Sequence, residues 1–518
     1  MNAALETRPI VWSVAGSDSG GGAGIAADLR AFDALRVHGC TALAALTAQN
    51  SVAVQRVQAV DPDLLDAQLA ALAADLPPAA IKTGMLGSAA NVRVLARWLK
   101  RLREQAPVAL VIDPVWRASS DGGSLADAEL RRALRSELLP LATVCTPNRR
   151  EAAWLLDLPA FASDGHLLAA VPALQSLSGC SWVVTGGDEG GERARDLLLS
   201  PQFQGWLSSP RLDTPHHHGS GCTFASALAG ALAQGFCAAD AAVLAKMATT
   251  QALRAGGPAG QGAGPVRAEP GFAHRLDNLP AAEPLQGLPT LPAFAPCELQ
   301  GLYAVVDSAA WVERLLAAGV RTLQLRIKRA PAVVSDAALE AELQRAVQAA
   351  RAAGARLYVN DHWRLALRHG AYGVHLGQED LQAPDLDLPA LQAAGLRLGL
   401  SSHSLWELAR AVALQPSYLA CGPVYPTTTK AMPWRPQGAH NLAWWAGLLA
   451  PLPVVAIGGL TPERAVNAAR AGAGTVAIAS GLTAAADPEG AVAAYQAAWQ
   501  AGRAGVGLAM PELPRPSI

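Results

Sequence analysis

The chain has 518 residues, of which 51% are hydrophobic and 16% are charged, and its net charge is -1. A single core stops growing at roughly 250–300 residues, so two domains are expected, and the balanced charge gives no basic surface for nucleic acid. Residues 1–9 lack the apolar core of a signal peptide, and the chain contains no uninterrupted apolar run long enough to span a bilayer. A soluble, cytoplasmic protein without membrane contact is therefore expected. The seven cysteines are scattered without a C-x-x-C pair, which favours neither a disulfide framework nor a zinc site.

Residues 8 to 272 alternate between apolar runs and alanine- and leucine-rich stretches of helical period. The apolar runs cover residues 10–15, 40–48, 79–84, 108–113, 142–147 and 180–187. This alternation predicts an α/β layer fold with a mostly parallel sheet, whose ligands lie beyond the carboxyl ends of the strands.

Two glycine-rich turns in this half are candidate binding loops. Glycines 20, 21, 22 and 24 follow the first strand and predict a tight turn before a helix that begins at Ile25, although their spacing is that of no standard phosphate loop. Gly219 and Gly221 precede a small-residue helix, where free backbone N–H groups and the helix dipole favour a phosphoryl group. Cys222 lies at the same helix start, which predicts a lowered thiol pKa and a role as proton acceptor. The alternatives are a flexible turn and a small buried cysteine.

The motifs AGSDSGGGAGIAADL, LTAQNS, IKTGMLG, VIDPVW, TPNRREA and HGSGCT occur in this order, and together they resemble the hydroxymethylpyrimidine/phosphomethylpyrimidine kinases, which have a ribokinase-like fold. The resemblance implies two successive transfers of the ATP γ-phosphoryl group, first to hydroxymethylpyrimidine and then to its monophosphate, with Cys222 as the base. The substrate-binding residues that it implies are Gln49 at the pyrimidine edge and Gly16, Asp18 and Met85 in its pocket. Asn148 and Glu151 would organise Mg²⁺ and the nucleotide. Two departures from the family pattern are Thr185, where relatives have lysine, and residues 117–123.

Residues 273–297 contain five prolines between 280 and 296 and show no sustained period. Proline at this density predicts a semi-extended linker between the two domains, 8–272 and 298–503.

Eight further apolar runs follow the predicted linker and alternate with helical stretches. The runs cover 301–307, 321–326, 356–360, 372–377, 396–401, 417–422, 453–459 and 474–480. Eight strand–helix repeats in about 200 residues are typical of a (β/α)₈ TIM barrel, which holds its active site at the carboxyl ends of the strands.

Polar residues follow nearly every one of these runs. Asp361 and Asp380 come after the third and fourth runs, and two carboxylates at one rim suit Mg²⁺. The alternative is that Asp361 caps a helix and Asp380 lies in a solvated loop. The other rim residues are Gln324, Arg326, Lys328, Asn360, Ser401, His403, Thr427, Thr429, Lys430, Gly458, Gly459 and Ser480. This set is equipped for a diphosphate and for a second, single phosphate.

QLRIK, VNDHWRLA, GVHLGQEDL, LGLSSH, CGPVYPTTTK and VAIGGL resemble the thiamin phosphate synthase family. The resemblance implies that Asp361 and Asp380 hold Mg²⁺ and that Gln324 and Ser401 contact the pyrimidine. It assigns the diphosphate to Arg326, Lys328, Asn360 and Lys430. The implied chemistry is departure of diphosphate from the pyrimidine methylene carbon and capture of that carbon by the thiazole nitrogen. Trp434 and Arg435 are either part of a lid or an ordinary surface turn.

Together these patterns predict a bifunctional enzyme whose first product is its second substrate. Its expected partners are small molecules, namely hydroxymethylpyrimidine and its phosphates, hydroxyethylthiazole phosphate and ATP, with Mg²⁺ as cofactor and with self-association left open. In one alternative the first half is a pyrimidine-binding regulatory module. In another it is a kinase for a different small alcohol, such as pyridoxal.

Overall fold

The computed structural model describes residues 7–116, 128–289, 291–328, 335–427 and 433–518. The chain divides into two compact units, Met1–Gln286 and Gly287–Ile518. Within the described ranges, no helix combines the length and the apolar character needed to cross a bilayer.

The first unit is built on a ten-stranded sheet with the spatial order β10-β9-β8-β7-β6-β5-β4-β1-β2-β3. Its strands are β1 (Ile10–Gly16), β2 (His38–Gln49), β3 (Val54–Ala59), β4 (Ala80–Thr83), β5 (Ala109–Ile112), β6 (Val144–Cys145), β7 (Ser181–Val184), β8 (Arg193–Leu199), β9 (Gln204–Pro210) and β10 (Ala281–Pro284). Neighbouring strands from β7 to β2 are parallel. At the two edges, β3 and the series β8, β9 and β10 pair antiparallel.

Helices connect the parallel strands. They are α1 (Gly24–Ala34), α2 (Pro62–Asp75), α3 (Ala89–Arg103), α4 (Ala128–Ala133), α5 (Arg149–Leu155), α6 (Asp164–Ala169), α7 (Val171–Leu177), α8 (Ser220–Ala233) and α9 (Ala238–Arg254). Trp12 and Trp182 are fully buried on the sheet and belong to the main apolar core of this unit. The predicted α/β class is confirmed, and the ligand site is expected at the end of the parallel strands.

Part of the segment predicted as a linker forms a strand, and the boundary between the two units falls within the segment. Residues 281–284 form β10, whose Ala282 is buried and pairs with Leu207 of β9. On the other side of the unit boundary, the N–H of Phe294 donates to the carbonyl oxygen of Gln415. Both ends of 273–297 are therefore held by backbone hydrogen bonds, because short stretches between the prolines keep the N–H and C=O groups that a sheet or loop can pair.

The second unit contains a closed barrel of eight parallel strands. They are β11 (Gly301–Val306), β12 (Thr322–Leu325), β13 (Arg356–Asn360), β14 (Gly373–Leu376), β15 (Arg397–Ser402), β16 (Tyr418–Cys421), β17 (Val454–Ile457) and β18 (Thr475–Ile478). The pairing of β18 with β11 closes the barrel. The predicted TIM barrel is thus confirmed.

The helices of this unit follow the strands in turn. They are α10 (Ala309–Ala317), α11 (Asp336–Ala352), α12 (Trp363–His369), α13 (Leu388–Ala393), α14 (Leu405–Ala413), α15 (Gly438–Leu449), α16 (Pro462–Arg470), α17 (Ser480–Thr483) and α18 (Pro488–Ala504). Several begin at a residue whose side chain accepts a backbone hydrogen bond, such as Ser308 before α10 and Ser404 before α14. These caps satisfy N–H groups that the first turn leaves unpaired, and they fix where each loop ends.

Candidate active sites

A cavity of about 980 Å³ lies in the first unit. It is lined by the nine residues that the sequence predicts for the kinase site, namely Gly16, Asp18, Gln49, Met85, Asn148, Glu151, Gly219, Gly221 and Cys222. They come from β1 and the turn after it, β2, the loop after β4, and the starts of α5 and α8. The parallel strands bring them to one end of the sheet, as the fold class requires.

In the glycine-rich turn after β1, backbone N–H groups are hydrogen-bonded to a side chain of the same turn. The carboxylate of Asp18 accepts hydrogen bonds from the N–H groups of Gly20, Gly22 and Ala23 at 2.8, 3.0 and 2.8 Å. His218 lies 3.0 Å away from the same carboxylate. Burial raises the pKa of Asp18, but His218 and the backbone N–H groups outweigh it, so the pKa is lowered. The backbone N–H groups of Gly20, Gly22 and Ala23 are therefore already hydrogen-bonded to a carboxylate of the protein. Helix α1 begins at Gly24, one residue before the predicted start.

At the start of α8, Gly219 has a φ of 81°, and a Cβ there would lie 2.1 Å from the carbonyl oxygen of Gly22. Glycine is required because a side chain fits neither the conformation nor the space. Within the described part of the chain, the N–H groups of Gly221 and Cys222 have no protein acceptor. Two donors at a helix start on the cavity wall form the anion-binding geometry that the sequence predicts.

The predicted lowering of the Cys222 pKa is wrong. Burial raises the pKa to about 12, and the charges of Asp28 and Asp113 add to it, while Lys82 acts in the opposite direction. The helix dipole acts on a half-buried thiol that has the two carboxylates of Asp28 and Asp113 nearby, and their charges favour its protonated form. Cys222 is therefore protonated at neutral pH.

A buried ion pair at the edge of the cavity joins Lys82, which lines it, to Asp28. The ammonium of Lys82 is 2.9 and 3.1 Å from the two carboxylate oxygens of Asp28, and both side chains have 0% exposure. The hydroxyls of Ser13 and Ser226 also donate to Asp28 at 2.5 and 2.7 Å. Asp113 lies 3.7 Å from Lys82 and lines the cavity. Lys82 and Asp113 stand in the motifs IKTGMLG and VIDPVW, and the available signal was a lysine within a short strand that is otherwise mostly apolar.

Two acidic groups of the cavity have raised pKa values. Burial raises the pKa of Asp113 to about 6, and the charge of Asp28 adds to this increase, while Lys82 acts in the opposite direction. Burial and the charge of Asp113 raise the pKa of Glu151. Glu151 and Asn148 also form a reciprocal capping box at the start of α5, with both hydrogen bonds at 2.8 Å. Two neighbouring carboxylates that are costly to ionise together fit a divalent cation, which supplies the missing positive charge.

Thr185 lines the same cavity, and its N–H donates to the carbonyl oxygen of Pro147 at 2.8 Å. It is bridged to Asn148 across the sheet end. The second predicted departure, residues 117–123 with Arg117, lies outside the described residues.

In the second unit, the predicted site residues follow the carboxyl ends of the barrel strands. Gln324 is the last residue but one of β12 and Asn360 is the last of β13. Both are buried, and the amide nitrogen of Gln324 lies 3.4 Å from the side-chain oxygen of Asn360. Arg326 and Lys328 follow β12, and Ser401 lies near the end of β15. Thr427 follows β16, whereas Thr429 and Lys430 lie outside the described residues.

The predicted metal pair is close together. Partial burial and the neighbouring charge of Asp380 raise the pKa of Asp361 to about 6, against the smaller opposing effects of His362 and Arg326. Asp361 has a φ of 63°, so that the chain turns sharply after β13. The N–H of Gly377 donates to Asp380 at 2.6 Å and orients it. Two adjacent carboxylates at the rim fit Mg²⁺, which binds proteins through one or two such groups. The described residues contain no cluster of three or more acidic, histidine or cysteine ligands.

The turn after β17 carries Gly458 and Gly459, with φ values of 98° and 64°. A Cβ at Gly459 would lie 2.3 Å from the carbonyl oxygen of Pro426, so glycine lets this turn approach the loop after β16. Ser480 is exposed at the start of α17, directly after β18. The predicted single-phosphate residues thus lie at the ends of neighbouring strands.

Two aromatic rings stack beside the barrel mouth. The rings of His403 and Trp434 are 5.4 Å apart with an angle of 6° between their planes. His403 also contacts Glu407 through its Nδ1 atom at 2.9 Å. Arg435 next to Trp434 donates its N–H to the carbonyl oxygen of Ser517 at 2.7 Å. Residues 434–435 are therefore held on both sides rather than forming a free surface turn.

Comparison with known proteins finds a family match in each of the two units. The family model described as phosphomethylpyrimidine kinase matches residues 18–267, and that of thiamine monophosphate synthase matches residues 302–482. The thiamine-phosphate synthase of Photorhabdus laumondii is 51% identical over 204 residues, which are 39% of this chain and 91% of that protein.

Two solved structures resemble the first unit. The phosphomethylpyrimidine kinase of Clostridium difficile is 31% identical, with a TM-score of 0.41, and the match covers 47% of this chain and 99% of that one. An ADP complex of Bacillus subtilis pyridoxal kinase is 34% identical, with a TM-score of 0.46, and covers 50% and 97% of the two chains. From its family matches, the chain belongs to the thiamine-phosphate synthase family through its second unit and carries a phosphomethylpyrimidine kinase domain in its first, which makes it a bifunctional enzyme of thiamin biosynthesis.

Proposed function

We propose that the first domain, residues 8–272, phosphorylates hydroxymethylpyrimidine twice with ATP. In the first transfer, the hydroxymethyl oxygen forms a bond to the γ-phosphorus, the bond to the ADP oxygen breaks, ADP leaves with the electron pair, and the hydroxyl proton passes to a phosphate oxygen. In the second transfer, an oxygen of the monophosphate attacks in the same way to give the diphosphate. Gly16, Asp18, Gln49 and Met85 are proposed to hold the pyrimidine, because they border one end of the cavity together with His218.

The phosphoryl group is proposed to lie against the N–H groups of Gly221 and Cys222, which carry no protein partner in the described chain. A loose phosphoryl-transfer transition state needs mainly positioning and charge neutralisation. Because the Cys222 thiol is protonated at neutral pH, we give it the role of holding the hydroxymethyl oxygen in line rather than of removing its proton first. When bound, Mg²⁺ would neutralise phosphate charge beside Asn148, Glu151 and Asp113.

We propose that the second domain, residues 298–503, joins the pyrimidine diphosphate to hydroxyethylthiazole phosphate. The bond between the methylene carbon and the diphosphate oxygen breaks, the diphosphate takes the electron pair, and the thiazole nitrogen forms the new C–N bond. The product is thiamin phosphate. No proton needs to be removed before the C–O bond breaks, which agrees with a rim that carries cations and metal ligands.

In this reaction Arg326, Lys328 and Lys430 are proposed to stabilise the leaving diphosphate, assisted by Asn360 and the hydroxyls of Thr427 and Thr429. Gly458, Gly459 and Ser480 would bind the phosphate of the thiazole. Mg²⁺ held by Asp361 and Asp380 would supply further positive charge to the diphosphate when bound. The proximity of these two carboxylates at the rim is the observation that carries the synthase proposal.

The test is the conversion of hydroxymethylpyrimidine, hydroxyethylthiazole phosphate and Mg-ATP to thiamin phosphate by the full chain. Cys222→Ala is expected to lower diphosphate formation by about a hundredfold, the scale of lost positioning at a reacting group, while coupling of supplied diphosphate continues. Asp380→Ala is expected to do the reverse. Cys237→Ala serves as a control, because Cys237 precedes α9 and does not line the cavity.

Loss of both activities in either variant, with the chain still folded, would contradict the assignment of one reaction to each domain. Binding of hydroxymethylpyrimidine without ATP turnover would favour the regulatory alternative. Competition between hydroxymethylpyrimidine and pyridoxal in one assay tests the remaining alternative, and we expect the pyrimidine to be preferred. The cytoplasmic location and self-association stay predictions.

A further inference from the structure

A chain of hydrogen bonds runs through the inside of the barrel to its mouth. The hydroxyls of Tyr303 and Tyr418 are 2.9 Å apart, and the Tyr418 hydroxyl is 2.7 Å from Nδ1 of His375. The Nε2 atom of His375 is 2.8 Å from the hydroxyl oxygen of Ser401. Tyr303, Tyr418 and His375 are 2%, 0% and 8% exposed, whereas Ser401 is half-buried at the rim. The chain therefore links the buried layer of the barrel to a residue that faces the ligand site.

The strand register makes this chain possible. His375 on β14 pairs with Gly399 on β15, and Gly399 pairs with Tyr418 on β16. A Cβ at Gly399 would lie 2.1 Å from the Tyr418 ring. Because that position is a glycine, the ring of Tyr418 crosses β15 and stacks against His375, with 5.7 Å between the ring centroids. Ser401 stands two residues further along β15, on the side of the mouth.

The proton positions in this chain follow from counting donors. Within the described residues, the hydroxyl of Tyr303 has no hydrogen-bond partner other than Tyr418. Its proton must therefore go to the Tyr418 oxygen, since a buried donor without an acceptor is unfavourable. Tyr418 then donates to Nδ1 of His375, which leaves the proton of the imidazole on Nε2. That proton goes to the oxygen of Ser401.

A proton on Nδ1 of His375, with or without one on Nε2, reverses the order at the two tyrosines. An imidazole protonated on Nδ1, or on both nitrogens, would donate to Tyr418, and Tyr418 would in turn donate to Tyr303. The hydroxyl proton of Tyr303 would then have no acceptor inside the barrel. The observed distances thus fit one direction, in which Ser401 accepts from His375 and keeps its own proton for the mouth.

We propose that His375 is a positioning residue, oriented by Tyr418, which fixes the hydroxyl of Ser401 as a hydrogen-bond donor and so selects a ligand with an unprotonated ring nitrogen at that point. The inference rests on the proposed contact between Ser401 and the pyrimidine. A ring that places a C–H or an N–H at this point would face the hydroxyl proton of Ser401. Ser401 cannot become an acceptor for it, because the hydrogen bonds of His375, Tyr418 and Tyr303 would all have to change direction. Histidine suits this role because the hydrogen bond at one ring nitrogen determines which nitrogen carries the proton.

The first test is nitrogen-15 NMR of the full chain labelled at histidine, with the His375 signals identified by their loss in His375→Gln. Neutral imidazole with its proton on Nε2 is expected. A proton on Nδ1, or on both nitrogens, would overturn the proposal. This measurement needs no substrate and does not depend on the synthase reaction.

The second test compares Tyr418→Phe with the matched control Tyr303→Phe. The control removes a hydroxyl but leaves Tyr418 as the donor to Nδ1, so the Nε2-protonated form and the KM for the pyrimidine diphosphate are expected to stay within about twofold. In Tyr418→Phe the Nδ1 atom loses its donor, and we expect a mixture of imidazole forms and a KM raised about fivefold to tenfold, the scale of one hydrogen bond. Equal effects of the two variants would overturn the proposal.

Two analogues of hydroxymethylpyrimidine diphosphate, each with one ring nitrogen replaced by C–H, complete the experiment. One of them is expected to show a KM raised about fivefold to tenfold with the unaltered chain. The same analogue should match the normal substrate with Ser401→Ala. If neither analogue is disfavoured, the selection by Ser401 is wrong. Failure of the proposed function itself would be recognised separately, because the unaltered chain would then not couple the normal diphosphate.

Discussion

The ion pair of Lys82 and Asp28 provides a test of how much a buried charge matters for this fold. Both side chains have 0% exposure, and Asp28 also accepts hydrogen bonds from two serines. Removing one partner of a buried pair leaves a charge without compensation, which costs about 3–5 kcal/mol. Lys82→Met is therefore expected to reduce the protection of β1 and β4 amides against hydrogen exchange by at least a hundredfold, at roughly 1.4 kcal/mol per tenfold change.

Arg93→Gln is the matched control for that variant. Arg93 bonds Glu137 at 2.9 Å, but the two side chains are 45% and 36% exposed, and pairs of this kind contribute about 0–1 kcal/mol. Its effect on exchange should remain below about fivefold. Comparable losses of exchange protection in the two variants would show that burial does not determine how much the Lys82–Asp28 pair contributes to stability.

The carboxylates of Asp361 and Asp380 predict a pH-dependent response to Mg²⁺. Partial burial and the charge of Asp380 raise the pKa of Asp361 from 3.8 to about 6. The folded protein thus holds this proton more tightly than the unfolded chain does, so in the absence of metal the pair destabilises the fold as pH rises from about 4 to about 6. Mg²⁺ competes with the proton. Its stabilising shift in melting temperature is expected to be larger at pH 8 than at pH 5.

Asp380→Asn supplies the control for this response. The substitution removes the neighbouring charge, so the pKa of Asp361 should fall and most of the Mg²⁺-dependent shift should disappear at both pH values. Thermal unfolding of the full chain with and without Mg²⁺ measures both effects. A shift of equal size at pH 5 and pH 8 in the unaltered chain would place the metal elsewhere.

At the same scale, residue types and positions along the sequence locate the sites better than they predict the chemistry of a group. The position of Cys222 at a helix start is predictable, because glycines and small residues mark that start. Its pKa depends on Asp28 and Asp113, which are 194 and 109 positions away in the sequence. Such distant neighbours are absent from any local pattern. The role of Lys82 was missed for the same reason.

Among the secondary-structure elements, the barrel strands can be predicted from the sequence more accurately than the edge strands of the ten-stranded sheet. Each barrel strand is a short apolar run between polar loops, and each predicted run ends within two residues of the observed strand. Strands β3, β8, β9 and β10 were not predicted. In β3 the exposed residues are mostly polar, as in VQRVQA, and β10 contains a proline, so edge pairing rather than burial defines these strands.

In β15, adding a single methyl group at Gly399 should strongly destabilise the barrel. A Cβ would meet the Tyr418 ring at 2.1 Å, and the ring has no free space because it packs against Tyr303, Tyr358 and His375. Gly399→Ala is expected to destabilise the barrel by about 1–3 kcal/mol or more, the cost of overpacking a core. Urea unfolding measured by hydrogen exchange of β14–β16 peptides checks this value.

Gly507→Ala is the control for that experiment, since a Cβ there makes an ordinary contact of 3.7 Å with Arg470. It should change the exchange of β14–β16 peptides little. If Gly399→Ala leaves their protection unchanged as well, Tyr418 is not held in place by the absence of a side chain on β15.

At the scale of the whole molecule, the described residues of the two predicted sites lie in separate units. The kinase residues all border one cavity within Met1–Gln286, and the synthase residues that the structure describes lie within or after the carboxyl ends of strands of Gly287–Ile518. The chain order of the two domains and their separate cores could be predicted from length and from the change of strand pattern. The boundary could not be placed within a few residues, because proline-rich stretches such as 281–284 can still pair at a sheet edge.

Two self-contained sites predict that inactive variants complement each other. Cys222→Ala retains a synthase and Asp380→Ala retains a kinase, so a mixture of the two proteins should form thiamin phosphate from hydroxymethylpyrimidine, hydroxyethylthiazole phosphate and Mg-ATP. Fusion through a short connection raises the effective concentration of one site near the other to at most about the millimolar range. Diphosphate released into solution should therefore support the second reaction once it accumulates, after a lag that shortens as protein concentration rises. A mixture that stays inactive, while each variant retains its remaining activity, would show that the diphosphate cannot pass through solution and that the two sites need one intact chain.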